Sequence, residues 1–275
     1  MDALTEFFEV WGRSMGLFAA VFAVALVLER IAPAERGQPL RRLGFNLVVG
    51  VLMFTISGAL VMALHPLIVP FVTEPLGQLW RLEMPDGLAG SIAQVLVFFL
   101  IYDFFYYWWH RAQHELAWLW PQHELHHSDT ALNVTTSLRH HWTEDPLRVF
   151  AMSLPLGFAF YFQPASIAWI ATVGGLWPFF IHTNLRLDLG WFTPVVAGPQ
   201  YHRLHHSMER QHWNCNYAAF FPLWDIVFGT AVWPGRGEFP RTGVPRGEPA
   251  GILAALAGPF IEWRRMLRRE RRLDV

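Results

Sequence analysis

The chain has 275 residues, of which 53% are hydrophobic and only 16% charged, with a formal net charge of −1. A water-soluble domain usually carries about 25% charged residues, so the composition excludes an ordinary cytosolic globule and a disordered chain. The near-neutral balance leaves no basic footprint for nucleic acid.

A bilayer core about 30 Å thick asks for roughly 20 apolar residues in a helix. Residues 10–28 meet that demand, with Arg13 near one end, where its head can snorkel. Residues 43–64 carry no charge, and residues 88–109 carry one, Asp103. Two shorter apolar runs, 149–162 and 165–181, are joined by Gln163-Pro164 and predict a tight hairpin. They make either two thin spans or one re-entrant pair. The start is acidic (Asp2, Glu6, Glu9), which is not signal-peptide anatomy. Residues 233–251 are rich in Pro and Gly and predict a linker or a wrapped loop. Residues 252–272 are apolar first and Arg-rich later, the pattern either of an interfacial helix on anionic lipid or of a solvated basic tail.

Arginine placement sets the expected orientation. Residues 29–42 hold Arg30, Arg36, Arg41 and Arg42, whereas 65–87 hold only Arg81. The tail adds Arg264, Arg265, Arg268, Arg269, Arg271 and Arg272. The basic loop and the C-terminus are therefore expected in the cytoplasm and the N-terminus outside, in the inner membrane of a bacterium. The expected fold is all-α: a polytopic membrane protein with four to five transmembrane helices and a cytoplasmic, helical, histidine-bearing cap. Three parts are expected: N-terminal transmembrane helices and loops (1–88), a histidine-rich catalytic domain with the hairpin (89–232), and the linker with its basic helix (233–275).

The chain has one cysteine, Cys215, and thirteen histidines. Neither an intrachain disulfide nor a cysteine-based metal site is available, but imidazole is the commonest side-chain metal ligand. His110 and His114 stand four apart at the end of the 88–109 run, on one helical face. His123-Glu-Leu-His126-His127 and His202-Arg-Leu-His205-His206 share the pattern H-x-x-H-H, whose members lie on one side of a helix. Chance would produce that pattern roughly 0.03 times in such a chain, so finding it twice points to a built site. His182, ending the 165–181 run, lies on the same side of the membrane and completes a set of nine. His65, His140, His141 and His212 are less persuasive. Nine imidazoles are too many for one ion and suit two ions with four or five ligands each. A purely imidazole set fits iron, zinc or copper rather than magnesium or calcium.

With these motifs the sequence resembles the fatty acid hydroxylase/sterol desaturase superfamily of integral-membrane histidine-box enzymes. The matching residues run from Asp103 through Tyr106, His110, Arg111 and His114 to His123, His126 and His127. They continue through Thr136, Arg139 and His141, then His182 and Asn184, then His202, His205 and His206, and end with Asn216, Tyr217, Asp225 and Gly229. The likeness covers about residues 90–230. Trp142 stands where a proline is common in the family. The resemblance implies that the nine histidines hold two iron ions, which use O2 to hydroxylate or desaturate a lipid C–H bond, sterol or fatty acyl. Electrons would come from a separate reductase, ferredoxin or cytochrome-type protein. Asp103, Asn184 and Asp225 are the expected groups that steady the ligand imidazoles; a carboxylate at membrane depth, as in Asp103, is by default functional.

Competing readings exist. His123-Glu124-x-x-His127 also fits the H-E-x-x-H pattern of a zinc metalloprotease with Glu124 as base, which leaves His126 and the other histidine groups without a role. Two formal E-x-x-H pairs, Glu124/His127 and Glu209/His212, are what chance supplies. A metal transporter would set its ligands at mid-membrane rather than at span ends.

Overall fold

The computed structural model describes residues 16, 19–73, 87–153 and 164–273. Every regular element among them is helical, and the only β pairings are two isolated bridges, Pro33 with Leu185 and Ser207 with Thr242. The helices are α1 (19–31), α2 (Leu40–Thr73), α3 (Leu88–Glu115), α4 (Trp120–His127), α5 (Glu144–Arg148), α6 (Pro164–Ile181), α7 (Pro199–His205), α8 (Leu223–Phe228) and α9 (Ile252–Leu273).

Two of them are long and apolar enough to cross a membrane: α2 over Leu40–Leu64 and α3 over Leu88–Glu115. Each turns part of its apolar surface outward. Leu88, Ile92, Leu96 and Leu100, spaced by four, form an exposed stripe along α3. The opposite face of α3 buries Phe98, Phe99, Asp103, Tyr107 and His110. An apolar face of that length pointing away from the protein is what a lipid-facing helix presents. The predicted run 10–28 is described from residue 19 on, as α1, while its first part and most of the run 149–162, with the turn at Gln163, fall outside the described residues. The 165–181 run forms α6, whose interior Pro178 has no N–H to bond the carbonyl one turn back.

Between the long helices the chain is made of short helices, several of them bounded by a recognisable signal. Pro121 and Pro199 sit in the first turns of α4 and α7, where a missing N–H costs nothing. Asn133 and Thr136 form a reciprocal capping box on the 3-10 turn Val134–Leu138. Gly229, in the left-handed region at φ 72°, ends α8. A π turn, Val149–Ser153, follows α5 directly.

An aromatic core of Phe98, Phe99, Trp109, Met152, Ala219 and Phe220 joins α3 to the segment before α8. A second cluster, Val49, Met53, Leu125 and Ala255, packs α2, α4 and α9 together. The first turns of the basic C-terminal helix are thus seated on the protein, and Trp263 donates to the Trp118 carbonyl at 2.8 Å. Arg139, fully buried, locks α2 to α4 through Asn46, the Leu125 carbonyl and Ser128. These contacts gather the ends of α3, α4, α6 and α7 at one end of the bundle.

Candidate metal centre

All nine of the singled-out histidines meet at that end. His114 is partly buried and the other eight are buried. They sort into two groups, each with one ligand atom per residue and all such atoms within 4.8 Å of one another. The first is His110, His114, His123, His127 and His205; the second is His126, His182, His202 and His206.

The two H-x-x-H-H turns divide their histidines crosswise. In α4 the i and i+4 members, His123 and His127, join the first group, and the i+3 member, His126, joins the second. In α7 the i and i+4 members, His202 and His206, join the second group, and His205 crosses to the first. The i and i+4 side chains are stacked along the helix, while i+3 is rotated about 60° from i. One short helix therefore faces two neighbouring centres. The His127 and His206 rings stack where the groups touch, with centroids 4.2 Å apart.

The nitrogens point at common points in space. In the first group Nε2 of His110 lies 3.1 Å from that of His123, and Nε2 of His127 lies 3.2 Å from His123 and 3.1 Å from His114. In the second, Nε2 of His182 lies 3.0 Å from both His126 and His202, and His206 lies 3.1 Å from His202. Two nitrogens about 2.1 Å from one ion at a right angle are about 3.0 Å apart. The spacing therefore fits ligands sharing an ion. His205 Nε2 is buried and has no hydrogen-bond partner among the described residues.

The rings are turned by their other nitrogens. Nδ1–H of His110 donates to the Tyr217 carbonyl at 2.7 Å, His205 to the Cys215 carbonyl at 2.7 Å, and His182 to the Pro178 carbonyl. Nδ1 of His123 faces the Glu144 carboxylate at 3.4 Å. Each contact favours the tautomer that leaves Nε2 bare for a metal. Burial, then neighbouring histidines, drives the pKa of His126, His127, His202 and His206 well below the ordinary value. Burial pushes His205 down to about 3. These imidazoles are neutral at pH 7, the state a metal needs. The all-imidazole donor set fits iron, zinc or copper.

Asp103, Asn184 and Asp225 touch no imidazole. Asp103 accepts the backbone N–H groups of Ala219, Phe220 and Phe221. Asp225 accepts those of Tyr217 and Ala218 and the Thr230 hydroxyl. The two carboxylates clamp the segment 215–221, whose carbonyls turn His110 and His205. Asn184 ties the turn after His182 to the loop before α2, through the backbone of Glu35. Glu144 and Glu29 were not singled out in the sequence. Buried Glu144 meets Gln113 at 2.9 Å and His140 at 3.3 Å as well as His123. Glu29 accepts from Val134 N–H and Asn184 N–H, fastening α1 beneath the site. Glu144 lies three residues after His141, but nothing in that spacing announces a partner for His123. His140 stacks on His126 at 4.2 Å, and His141 and His212 make contacts outside both groups. The side chain of His65 lies outside the described residues.

Two cavities reach the histidines. One of about 450 Å³ touches His182 and His140 and is walled by Met53, Phe54, Phe179 and Phe220. The other, about 370 Å³, touches His114, His127 and His205.

Residues 95–230 match the model of the fatty acid hydroxylase family. The chain carries a fatty acid hydroxylase domain. The match spans both H-x-x-H-H turns and all nine histidines, close to the 90–230 expected. Over 134 residues the chain is 36% identical to an alkylglycerol monooxygenase of Xenopus tropicalis, covering 49% of this chain and 29% of that protein. It is 28% identical over 250 residues to an ornithine lipid hydroxylase of Rhizobium tropici, covering 89% and 74%. It is 31% identical over 159 residues to a methylsterol monooxygenase of Arabidopsis thaliana, covering 54% and 51%. The chain spans less than a third of the length of the alkylglycerol monooxygenases it matches. No solved structure matches the chain. The hydroxylase domain and its relatives lend the protease reading no support, and Glu124 is paired with Arg246 at 3.3 Å.

Proposed function

We propose that the protein is a membrane-bound di-iron monooxygenase that hydroxylates a lipid C–H bond. Five histidines (His110, His114, His123, His127, His205) hold one ion and four (His126, His182, His202, His206) the other. The observation that carries this reading is the crosswise division of two H-x-x-H-H turns between two adjacent groups of inward-facing, unprotonated imidazoles. Bound iron supplies O2 activation. The overall change is R–H + O2 + 2 e⁻ + 2 H⁺ → R–OH + H2O. Removal of a second hydrogen in place of oxygen insertion would give an alkene, the desaturase outcome of the same site.

The chain's own part is positional. The Tyr217, Cys215 and Pro178 carbonyls hold imidazole orientation, and Glu144 holds His123. The apolar cavity beside His182 keeps water from the reacting carbon and restricts its motion. The two electrons come from a separate redox protein. Four to five spans, with α2 and α3 among them, place the histidines and the C-terminus in the cytoplasm of a bacterial cell. Asp103, Asn184 and Asp225 act through the backbone segments they clamp.

The test pairs metal analysis with lipid mass spectrometry. The purified protein should hold two irons per chain, and host membranes with the intact gene should contain a lipid heavier by about one oxygen. A desaturase would instead yield a lipid lighter by two hydrogens. One zinc per chain with peptide cleavage, or no O2-dependent change in any lipid, would overturn the proposal.

A further inference from the structure

The apolar cavity beside His182 contains one feature that an uncharged substrate does not need. Asp145 and Arg148 both line it, on the helix α5 that begins with Glu144. The Arg148 Nη2 donates to Asp145, which also accepts from Ser57 on α2. Among the described residues no partner is seen for Arg148 Nε or Nη1, and the side chain is 45% exposed. The hydroxyl-bearing rings of Tyr102 and Tyr106 and the Ser137 side chain line the same space. The remaining wall is Phe, Met, Leu, Ile, Pro and Gly, with Trp142 and the histidines. An arginine fork that keeps donors beyond its Asp145 pair, in a largely apolar cavity, can receive a carboxylate or phosphate. A sterol or a neutral glyceryl ether would leave those remaining donors unused.

Resting on the reading of the site as a lipid monooxygenase, we propose that the substrate is a lipid with an anionic headgroup, phosphate or carboxylate, bound by Arg148. The carbon attacked lies close to that headgroup. Glu144 touches the ligand His123, and Arg148 is one helical turn further on, a rise of about 6 Å. An anion held by Arg148 therefore sits near the metal end of the cavity, and carbons a few bonds away reach His182. The methyl end of a long chain is left to run out between the helices.

The experiment measures equilibrium binding to the metal-free protein in neutral detergent. The probes are dioctanoyl phosphatidate (phosphate), N-octanoylglycine (carboxylate) and dioctanoylglycerol (uncharged). One charge-assisted pair is worth a factor of about ten or more. Wild type should bind at least one anionic probe about tenfold more tightly than dioctanoylglycerol, and the stronger of the two identifies the headgroup chemistry. Arg148→Gln should abolish the preference and Arg148→Lys should keep part of it. Equal binding of all three probes by wild type overturns the assignment, whether or not the variants fold. So does a preference that survives in Arg148→Gln, because the arginines of α9 attract anions without any cavity. Turnover separates the two levels. Anion-selective binding by an iron-loaded protein that oxidises no lipid would sink the monooxygenase reading and leave the headgroup site standing. Hydroxylation of dioctanoylglycerol as fast as the anionic lipids, or at the methyl end of the chain, would do the reverse.

Discussion

Glu144 Oε2 lies 3.4 Å from Nδ1 of His123, the histidine whose Nε2 meets both His110 and His127. It is the only carboxylate among the described residues that touches a member of either histidine group. Burial alone would raise the Glu144 pKa, but its contacts with His140 and His123 outweigh that cost and hold the carboxyl well below its usual range. The carboxylate thus keeps a proton on Nδ1 and raises the basicity of Nε2. Glu144→Gln should weaken metal binding by the five-histidine group about 10- to 100-fold, the usual effect of losing such a partner. The four-histidine group should keep its ion. Metal content against chelator concentration should show one of two ions lost early. Unchanged retention of both would show that His123 is held without Glu144.

Asp103 tests a different link, between fold and ring orientation. Its carboxylate receives three consecutive backbone N–H groups from 219–221 and is fully buried. Asp103→Ala strands those donors in an apolar core. Each stranded donor costs on the order of 1–3 kcal/mol. The variant should unfold at a clearly lower temperature in detergent, by an amount matching roughly 3 kcal/mol or more. Asp103→Asn retains an acceptor and should lose less. Equal melting of Asp103→Ala and wild type would count against the clamp.

Much of this site could be read from the chain alone, because ligand spacing on a short helix is a local property. The nine histidines needed only their i, i+3 and i+4 offsets, and the 43–64 and 88–109 runs needed only apolar length; both lie within helices, α2 and α3. What could not be read depends on contacts distant in sequence. The division of His126 from His123 and His127 is decided by where α7 sits against α4, and α7 lies some 80 residues on. Asp103 reads in the sequence as a carboxylate at membrane depth, but its partners are amides more than a hundred residues away. Glu144, in a polar stretch with ordinary composition, gave no signal until His123 and Gln113 stood beside it.

Gly175 lines the apolar cavity, and a Cβ built on it meets nothing within 4 Å. A side chain there has open space before it, at the wall of the cavity. Gly175→Leu should leave the fold and the metal content intact and reduce turnover of a long lipid at least tenfold, with short-chain lipids less affected. Gly50 is the contrast. Its Cβ would come within 2.6 Å of the Leu138 Cβ, so Gly50→Ala should destabilise the α2 contact itself. Activity loss in Gly175→Leu accompanied by loss of metal would remove the steric explanation.

The buried imidazoles also set the response to acid. The His205 pKa falls from 6.5 to about 3 because burial disfavours its charged form. The unfolded chain, with an ordinary imidazole, therefore binds more protons than the folded chain between those values. Stability rises with pH in that interval and is lost on acidification. It is fully present above about pH 6.5, declines as pH drops below that value, and the loss from this residue is complete near pH 3. His126, His127, His202 and His206 act in the same direction, and metal binding steepens the trend because each bound ion competes with protons for Nε2. Melting temperatures of the metal-free protein between pH 8 and pH 5 should be flat above about 6.5 and fall below it. The iron-loaded protein should release its ions over the same range, read from its absorption spectrum. A melting temperature that held steady or rose toward pH 5 would mean that the histidines are already protonated in the fold, a state in which they could not hold metal.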